Sequence, residues 1–113
     1  MKIIGVGIDI VSLRRVREAR FLERAAEFFF LPDELAQMRA SRDRAQFVAS
    51  RLALKEAIIK SYPGELHYHD IRLDGRGGNM SATFTHGSAP QYEIFVSLAH
   101  EFDYAVAYAT LCV

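Results

Sequence analysis

Apolar side chains alternate with other residues near the N-terminus, and this pattern predicts a β-strand over residues 2–11. A period of two places the large aliphatic residues on one face: Ile4, Val6, Ile8 and Ile10. The opposite face combines Gly5, Gly7 and Asp9. Glycine inside a strand often marks a close approach of another backbone or of a ligand, so Asp9 is a candidate site residue. Its alternative roles are to cap the following helix or to pair with an arginine.

The pattern then changes to a helical spacing, which predicts three helices. The first covers residues 12–29, where Ser12 is suited to cap the N-terminus. Its apolar residues recur roughly in phase with one helix face: Leu13, Val16, Leu22, Ala25, Ala26 and Phe29. A proline in the first turn begins a second helix over about residues 32–40. The third helix covers residues 43–62 and ends before a Pro-Gly pair.

The remaining residues return to alternation, which predicts four strands: Leu66–Asp74, Met80–His86, Gln91–Ala99 and Tyr104–Val113. Turns are predicted over residues 74–79 and 87–90. One face of the last strand is small enough for a helix or a second layer of strands to approach closely, since it carries Ala105, Ala107 and Ala109. An N-terminal strand, then helices, then an antiparallel β meander predict an α+β fold in a single domain of residues 1–113.

Composition agrees with a folded domain, because half of the 113 residues are hydrophobic and a quarter are charged. The one cysteine, Cys112, excludes an internal disulfide and fits a reducing compartment. No apolar run reaches the roughly 20 residues of a transmembrane helix. The N-terminus also lacks the pattern of a signal peptide. We therefore expect a cytoplasmic protein without a membrane partner.

Charge is balanced in total, with fourteen basic and fourteen acidic residues, which argues against a nucleic-acid binder. The two signs are unevenly placed, because residues 1–60 carry a net charge of +4 and residues 61–113 carry −4. Five arginines lie within eleven residues: Arg14, Arg15, Arg17, Arg20 and Arg24. They form either a solvated helix face or a docking surface for an acidic partner, and their spacing does not distinguish the two.

Candidate chemistry lies in the third helix, where Glu56 and Lys60 are four residues apart and share a face. Small residues on that face leave room for a ligand, although an ordinary surface ion pair is the alternative interpretation. Asp9 and Glu56 come from different elements and are the kind of carboxylate pair that binds Mg²⁺ beside phosphate oxygens. Lys60 would then pair with the phosphate. Spacing alone does not show whether Asp9 and Glu56 meet.

Two further patterns carry less chemistry. His67 and His69 share a face of a predicted strand, but a third metal ligand is missing nearby, so they are interpreted as ordinary surface or core histidines. Ser97 and His100 have the residue types of a nucleophile and its base. Because no glycine elbow surrounds the serine, a hydrolase is not indicated.

Three segments of the chain, in order, resemble the holo-acyl-carrier-protein synthase type of 4′-phosphopantetheinyl transferase. Gly5-Val6-Gly7-Ile8-Asp9-Ile10 is similar to the Gly-x-Gly-x-Asp strand of that family. Residues 51–60 are similar to its Arg-x-Ala-x-Lys-Glu-Ala-x-x-Lys helix. Residues 97–107 are similar to its Ser-x-Ser-His…Tyr-Ala-x-Ala end. The order and separation of the segments agree, so the resemblance spans nearly the whole chain.

The resemblance implies an enzyme that moves the 4′-phosphopantetheine arm of coenzyme A to a serine of an acyl carrier protein, releasing 3′,5′-ADP. Asp9, Glu56 and Lys60 would be its catalytic residues. The two carboxylates would bind Mg²⁺, and Lys60 would contact the coenzyme A phosphates as the carrier serine attacks. A metal-bound water or one of the carboxylates would take the serine proton. Three further residues would lie near the nucleotide: Arg51, Ser97 and His100.

The resemblance also implies two kinds of protein contact. Carrier proteins are acidic and would dock on the arginine-bearing helix, where Arg14 is the best matched position. A homotrimer with active sites between subunits is implied as well, which suits a chain of 113 residues with a modest core of its own. His100 would then act beside Asp9 of a neighbouring subunit.

Some features depart from the family pattern. Ala99 stands where the family has a serine, which removes one phosphate or nucleotide contact. Residues 61–66 are short and contain one glycine where a glycine-rich, phosphate-binding turn is expected, and the turn over residues 74–79 departs as well. The alternative interpretation is a non-catalytic relative that binds an acidic carrier protein or a nucleotide without transfer. A nucleic-acid partner is not indicated, because no stacking-aromatic motif is present.

Overall fold

The computed structural model describes residues 1–76, 79–86 and 91–113. Strand β1 (Ile3–Ser12) is followed by four helices in these ranges: α1 (Leu13–Arg17), α2 (Leu22–Phe29), α3 (Pro32–Ala40) and α4 (Arg44–Ser61). A 3₁₀ helix (Tyr68–Asp70) then precedes β2 (Ile71–Arg76), β3 (Asn79–Phe84), β4 (Glu93–His100) and β5 (Tyr104–Cys112). This order confirms the predicted α+β fold.

The strands form two antiparallel sheets. One has the order β1-β5-β4, and the other is the hairpin of β2 and β3. The predicted meander therefore consists of two hairpins, β2–β3 and β4–β5. The first strand of the chain pairs with the last, with Asp9 opposite Ala107. By this register, the inward-facing row of β1 lies beside the inward-facing row of β5, which separates it from β4.

Helix α4 lies directly on the inner face of the larger sheet because that face has small side chains. A Cβ added to Gly5 would lie 1.8 Å from the carbonyl oxygen of Ser61, and one added to Gly7 would lie 1.9 Å from that of Ala57. The alanine face predicted for the last strand is fully buried against the same helix: Ala105, Ala107 and Ala109. The close approach suggested by the glycines is thus an approach of backbone to backbone.

A second apolar cluster lies between α2, α3 and α4, and an ion pair is buried beside it. The Lys55 ammonium donates to Glu34 Oε1 at 2.8 Å and to the carbonyl oxygens of Phe29 and Tyr68 at 2.7 and 3.0 Å. Glu34 Oε2 accepts from the Leu73 amide at 3.0 Å. One buried pair therefore connects three helices, the 3₁₀ helix and β2.

The prediction of one helix over residues 12–29 is wrong, because the chain turns between α1 and α2. No large apolar side chain lies between Val16 and Phe21, so a helix through this stretch would have no apolar face to pack against the core. Leu13 is buried against the sheet, whereas Ala26 belongs to the second cluster. The predicted cap is confirmed, since the Ser12 hydroxyl accepts from the Arg15 amide at 3.3 Å.

The prediction of a strand from residue 66 is also wrong, because β2 begins at Ile71. The Asp70 carboxylate accepts from the His67 amide at 2.9 Å and holds the preceding residues in a 3₁₀ turn. The Lys55 ammonium donates to the Tyr68 carbonyl oxygen, which in a strand would accept a hydrogen bond from a neighbouring strand.

Both predicted turns fall wholly or partly outside the described residues. The β2–β3 pairing continues to Arg76 and Asn79, so only residues 77–78 of the predicted 74–79 turn lie between the strands, and these are outside the described ranges. The turn over residues 87–90 lies outside them entirely. In the described part of the chain, no helix has the length and apolar character needed to cross a membrane.

Candidate active site

The close packing of α4 on β1 brings Lys60 to Asp9. The Lys60 ammonium donates to Asp9 Oδ1 at 2.9 Å and to the Ile8 carbonyl oxygen at 3.1 Å. The Asp9 side chain is 18% exposed and that of Lys60 is 52% exposed, so the pair opens to solvent at the lysine end. Gly7 makes this contact possible, because a Cβ there would lie 3.1 Å from that of Lys60.

Glu56 lies one turn earlier on the same face of α4 and accepts a hydrogen bond at Oε1 from the Tyr68 hydroxyl. Burial, followed by the bond to Glu56, raises the pKa of Tyr68 to about 12, and the charges of Glu56 and Asp9 add to the effect. The phenol is therefore protonated at neutral pH and acts as the donor. Lys60, one turn after Glu56, holds Asp9, and the charges of both carboxylates act on the phenol, so Asp9 and Glu56 belong to the same region at this end of α4.

The donor set at this site fits Mg²⁺. Asp9 and Glu56 each use one oxygen in a hydrogen bond and keep a second oxygen that has no such partner among the described residues. The same part of the chain contains no group of three or more His, Cys, Asp or Glu side chains suited to a metal. Two carboxylates completed by waters and phosphate oxygens are a usual environment for Mg²⁺, which dehydrates reluctantly.

Arg51 and His100 line a second site beside the N-terminal half of α4. They share a cavity of about 320 Å³ between α4 and the end of β4. The Arg51 guanidinium lies 4.4 Å from the centre of the Phe47 ring, and burial lowers the pKa of Arg51. Gln46 Nε2 donates to His100 Nδ1 at 2.7 Å and fixes the imidazole.

Ser97 is not brought to these residues within one chain. It pairs with Tyr108 across β4 and β5, and Tyr108 pairs with Ile8 of β1 on its other side. This row lies on the outer face of the sheet, and Ser97 is exposed there. His100 lies on the inner face, so the two residues of the Ser-x-x-His segment face opposite ways.

The five candidate docking arginines differ in their contacts. Arg17 makes a bidentate bond to Asp43 at 3.0 and 2.8 Å, which raises the pKa of Arg17 and lowers that of Asp43. It thereby fastens α1 to the N-terminus of α4. Arg14 and Arg15 line a cavity of about 870 Å³ between α1, α2 and α4. Arg20 and Arg24 lie 5.8 and 5.9 Å from the centre of the exposed Phe21 ring.

Sequence analysis missed Tyr68 and Gln46. Tyr68 lies between two histidines in a segment predicted as a strand, twelve residues after Glu56, and no local spacing relates the two. Gln46 and His100 are 54 residues apart. Lys55 is one position of the family-like motif over residues 51–60, but its burial depends on partners that are distant in sequence.

Two carboxylates and a lysine, here on a two-layer α+β scaffold, are side chains that commonly contact ligands with phosphate groups, directly or through Mg²⁺. The model of the 4′-phosphopantetheinyl transferase superfamily matches residues 5–109. A holo-[acyl-carrier-protein] synthase of Clostridium kluyveri is 33% identical, with 96% of this chain and 90% of that protein covered. One of Desulforudis audaxviator is 35% identical, with 95% and 91% covered.

Comparison with solved structures points to the same family. A holo-(acyl-carrier-protein) synthase from Bacillus anthracis in complex with coenzyme A (3′,5′-ADP) superposes with a TM-score of 0.82 at 26% identity, covering 96% of each chain. A Helicobacter pylori holo-[acyl-carrier-protein] synthase in complex with coenzyme A gives 0.74 at 25% identity, covering 95% of this chain and 99% of that one. This chain belongs to the 4′-phosphopantetheinyl transferase superfamily and to its holo-acyl-carrier-protein synthase type.

Proposed function

We propose that this chain transfers the 4′-phosphopantetheine group of coenzyme A to a serine of an acyl carrier protein, with Mg²⁺ as cofactor and 3′,5′-ADP as the released product. The observation that carries the proposal is the contact of Lys60 with Asp9 where α4 crosses β1, with Glu56 one turn earlier on the same face of α4. Family membership and the coenzyme A bound to solved relatives support the same reaction.

In this reaction, the serine oxygen bonds to the phosphorus that carries pantetheine, and the bond from that phosphorus to the bridging oxygen of the pyrophosphate breaks. Negative charge grows on the departing 3′,5′-ADP. Lys60 is half exposed beside Asp9 and can turn its ammonium to that charge. The serine proton passes to a carboxylate or a water at the site. Mg²⁺ held by Asp9 and Glu56 would supply Lewis-acid stabilisation of the phosphate oxygens.

We propose that the nucleotide end of coenzyme A binds at the second site. Arg51 is half-buried, lies over the Phe47 ring and borders two cavities, of about 320 and 540 Å³. A guanidinium already stacked on an aromatic ring loses little entropy on binding a phosphate. The fixed imidazole of His100 lies in the smaller cavity. Ser97, on the outer sheet face, would reach the nucleotide of a neighbouring subunit.

We propose the surface of α1 and α2 as the docking site of the acidic carrier. Arg14 and Arg15 border the large cavity, Arg20 and Arg24 flank Phe21, and Arg17 holds the surface on α4. Phe21 is 64% exposed and would be the apolar contact among these charges. Arg14→Glu is expected to weaken carrier binding and to reduce its dependence on salt, whereas Arg39→Glu, on α3, is the matched control.

We propose a homotrimer in which subunits share active sites. The outer face of β1 is apolar but exposed, with Val6, Ile8 and Ile10 at 55%, 62% and 60% exposure. Phe95 and Tyr108 continue this surface on β4 and β5. A contiguous apolar surface of this kind is typical of a subunit interface. The single buried cysteine agrees with the cytoplasm as the proposed compartment.

The test is incubation of the protein with coenzyme A, Mg²⁺ and a set of apo acyl carrier proteins, followed by intact mass measurement of the carriers. A mass gain of one phosphopantetheine is expected. Glu56→Gln and Asp9→Asn are expected to reduce the rate about 100-fold or more, since each removes a charge that stabilises the transition state. Glu65→Gln, on the exposed connection after α4, is the matched control.

Failure of every carrier to gain mass, with a folded protein, would contradict the proposed transfer. Salt-sensitive carrier binding without any mass gain would instead support the non-catalytic alternative. The departures that motivate this alternative are Ala99 and the short connection after α4.

A further inference from the structure

Tyr68 has a place at the site that the proposed chemistry does not yet use. Its 3₁₀ helix follows the short connection after α4, and its hydroxyl donates to Oε1 of Glu56. The connection that lacks the expected glycines is therefore the segment that carries a phenol to the proposed metal ligand.

The position of Tyr68 is fixed by contacts that do not involve Glu56. The Phe29 ring meets its ring edge-on, with centroids 4.9 Å apart at an angle of 86°. The buried Lys55 ammonium donates to its carbonyl oxygen at 3.0 Å. The 3₁₀ turn is closed by Asp70, whose carboxylate accepts from the His67 amide at 2.9 Å. The hydroxyl is thus held in place by the fold, and Glu56 conforms to it.

A glutamate on an open helix face samples several rotamers, and fixing one of them before a ligand arrives reduces the entropy lost on binding. With Oε1 bonded to the phenol, Oε2 of Glu56 is the oxygen left for a cation. The same division exists at Asp9, where Lys60 takes Oδ1. Partners that orient metal ligands in this way tune metal affinity.

We propose that Tyr68 is a positioning residue that fixes Glu56 for coordination of Mg²⁺ through a single oxygen, and that it thereby sets the affinity of the site for the metal. This inference rests on the proposed function. The Tyr68 hydroxyl contacts Glu56 and would act through it, so its effect is on the concentration of Mg²⁺ that the enzyme needs and not on the rate at saturation.

Tyr68→Phe tests this, because it deletes the hydroxyl and keeps the ring that packs on Phe29. Mn²⁺ binding in the presence of coenzyme A is followed by electron paramagnetic resonance, and transfer is measured over a range of Mg²⁺ concentrations. The Mn²⁺ dissociation constant and the Mg²⁺ concentration for half-maximal transfer are expected to rise about tenfold. The rate at saturating Mg²⁺ and the unfolding midpoint without metal are expected to stay near wild type.

Tyr62→Phe is the matched control, since it deletes a hydroxyl from a ring that packs on Phe84 and Tyr92. It is expected to leave Mn²⁺ binding unchanged. If Tyr68→Phe binds Mn²⁺ as tightly as the wild type or more tightly, the inference is wrong. The proposed function is still supported in that case, provided that the wild type transfers phosphopantetheine. A lower unfolding midpoint with unchanged Mn²⁺ affinity also overturns it, because the hydroxyl would then be structural. A wild type that neither binds Mn²⁺ nor transfers overturns the proposed function and this inference with it.

Discussion

At the scale of one residue, the Lys60 side chain is held in place by two acceptors of β1. Its ammonium is divided between the Asp9 carboxylate and the Ile8 carbonyl oxygen, at 2.9 and 3.1 Å. Because the side chain is half exposed, this ion pair contributes at most about 1 kcal/mol to folding. In the proposed reaction its larger effect would be on the ligand, since an ammonium already held at the site needs only a short movement to reach the charge that develops on the pyrophosphate.

We therefore predict that Lys60→Met lowers kcat/KM for transfer about 100-fold and changes the free energy of unfolding by less than about 1 kcal/mol. Steady-state kinetics and urea unfolding measure the two quantities. Lys2→Met, at an exposed position, is the control for the loss of a lysine. Transfer near the wild-type rate in Lys60→Met would show that the pyrophosphate lies elsewhere.

At the same scale, the sequence predicts which side chains matter better than it predicts where they meet. Glu56 and Lys60 are related by the helical period, so their shared face could be read directly. Asp9 is 51 residues from Lys60 in sequence. It reaches Lys60 only because the two glycines of β1 let helix α4 lie directly on that strand. Tyr68 joins them through a 3₁₀ turn that Lys55 and Asp70 hold, which is a tertiary effect without a local pattern.

At the scale of elements, the contact of β1 with α4 depends on the absence of side chains at Gly5 and Gly7. We predict that Gly7→Ala destabilises the protein by about 3 kcal/mol or more, because its Cβ would lie 1.9 Å from the carbonyl oxygen of Ala57 and strand and helix would have to separate. Asp9 and Lys60 would separate with them, so transfer is expected to fall as well.

The control is Gly64→Ala, whose Cβ would meet nothing nearer than 3.7 Å, an ordinary contact with the Tyr62 ring. Its effect is expected to stay within about 0.5 kcal/mol. Urea unfolding at one fixed protein concentration compares the two. Equal stabilities for both variants would mean that α4 does not rest on the β1 backbone.

The buried ion pair is the second feature of this scale, since Lys55 and Glu34 join α4 to α3 and are 0% and 1% exposed. We predict that Lys55→Met costs about 3–5 kcal/mol, because Glu34 would be left as a buried charge without its counter-ion. Arg44→Met, which breaks the exposed Arg44–Glu23 pair, is expected to cost at most about 1 kcal/mol. Thermal and urea unfolding measure both, and similar losses would show that the Lys55 pair is no more than a surface bridge.

Elements with a strong local period were predictable and those decided by distant partners were not. Strand β1 and helices α3 and α4 follow from alternation, a proline in the first turn and a helical spacing. The break between α1 and α2 is visible in the sequence as a change of phase, because Leu13 and Leu22 fall on opposite faces of a continuous helix. The structure shows the same break as the separate burial of Leu13 and Ala26. The pairing of β1 with β5 depends on residues about 100 positions apart, such as Val6 and Thr110, and no local signal specifies it.

At the scale of the whole molecule, the sheet has one face covered by α4 and one apolar face without a cover in the described chain. Ile8 and Ile10 share the outer face of β1, because helix α4 lies on the glycine face instead. Two-sided apolar strands are usual where both sides of a sheet are covered. The outer face is therefore suited to burial against another chain, and neighbouring subunits of the proposed homotrimer would bury it.

We predict that the wild type sediments as a trimer and that Ile8→Glu sediments as a monomer, because a charge placed in the centre of the outer face would lose its hydration on assembly. The Ile8→Glu variant is also expected to lose transfer activity, since Ser97 lies on this face and would complete the active site of a neighbouring subunit in the trimer. Phe102→Glu is the control: Phe102 is 93% exposed at the turn between β4 and β5, and its replacement is expected to leave the trimer and the activity intact. Analytical ultracentrifugation and the transfer assay, run on the same samples, separate the alternatives. An Ile8→Glu variant that remains trimeric would place the interface elsewhere, and a wild type that is monomeric and fully active would contradict shared active sites.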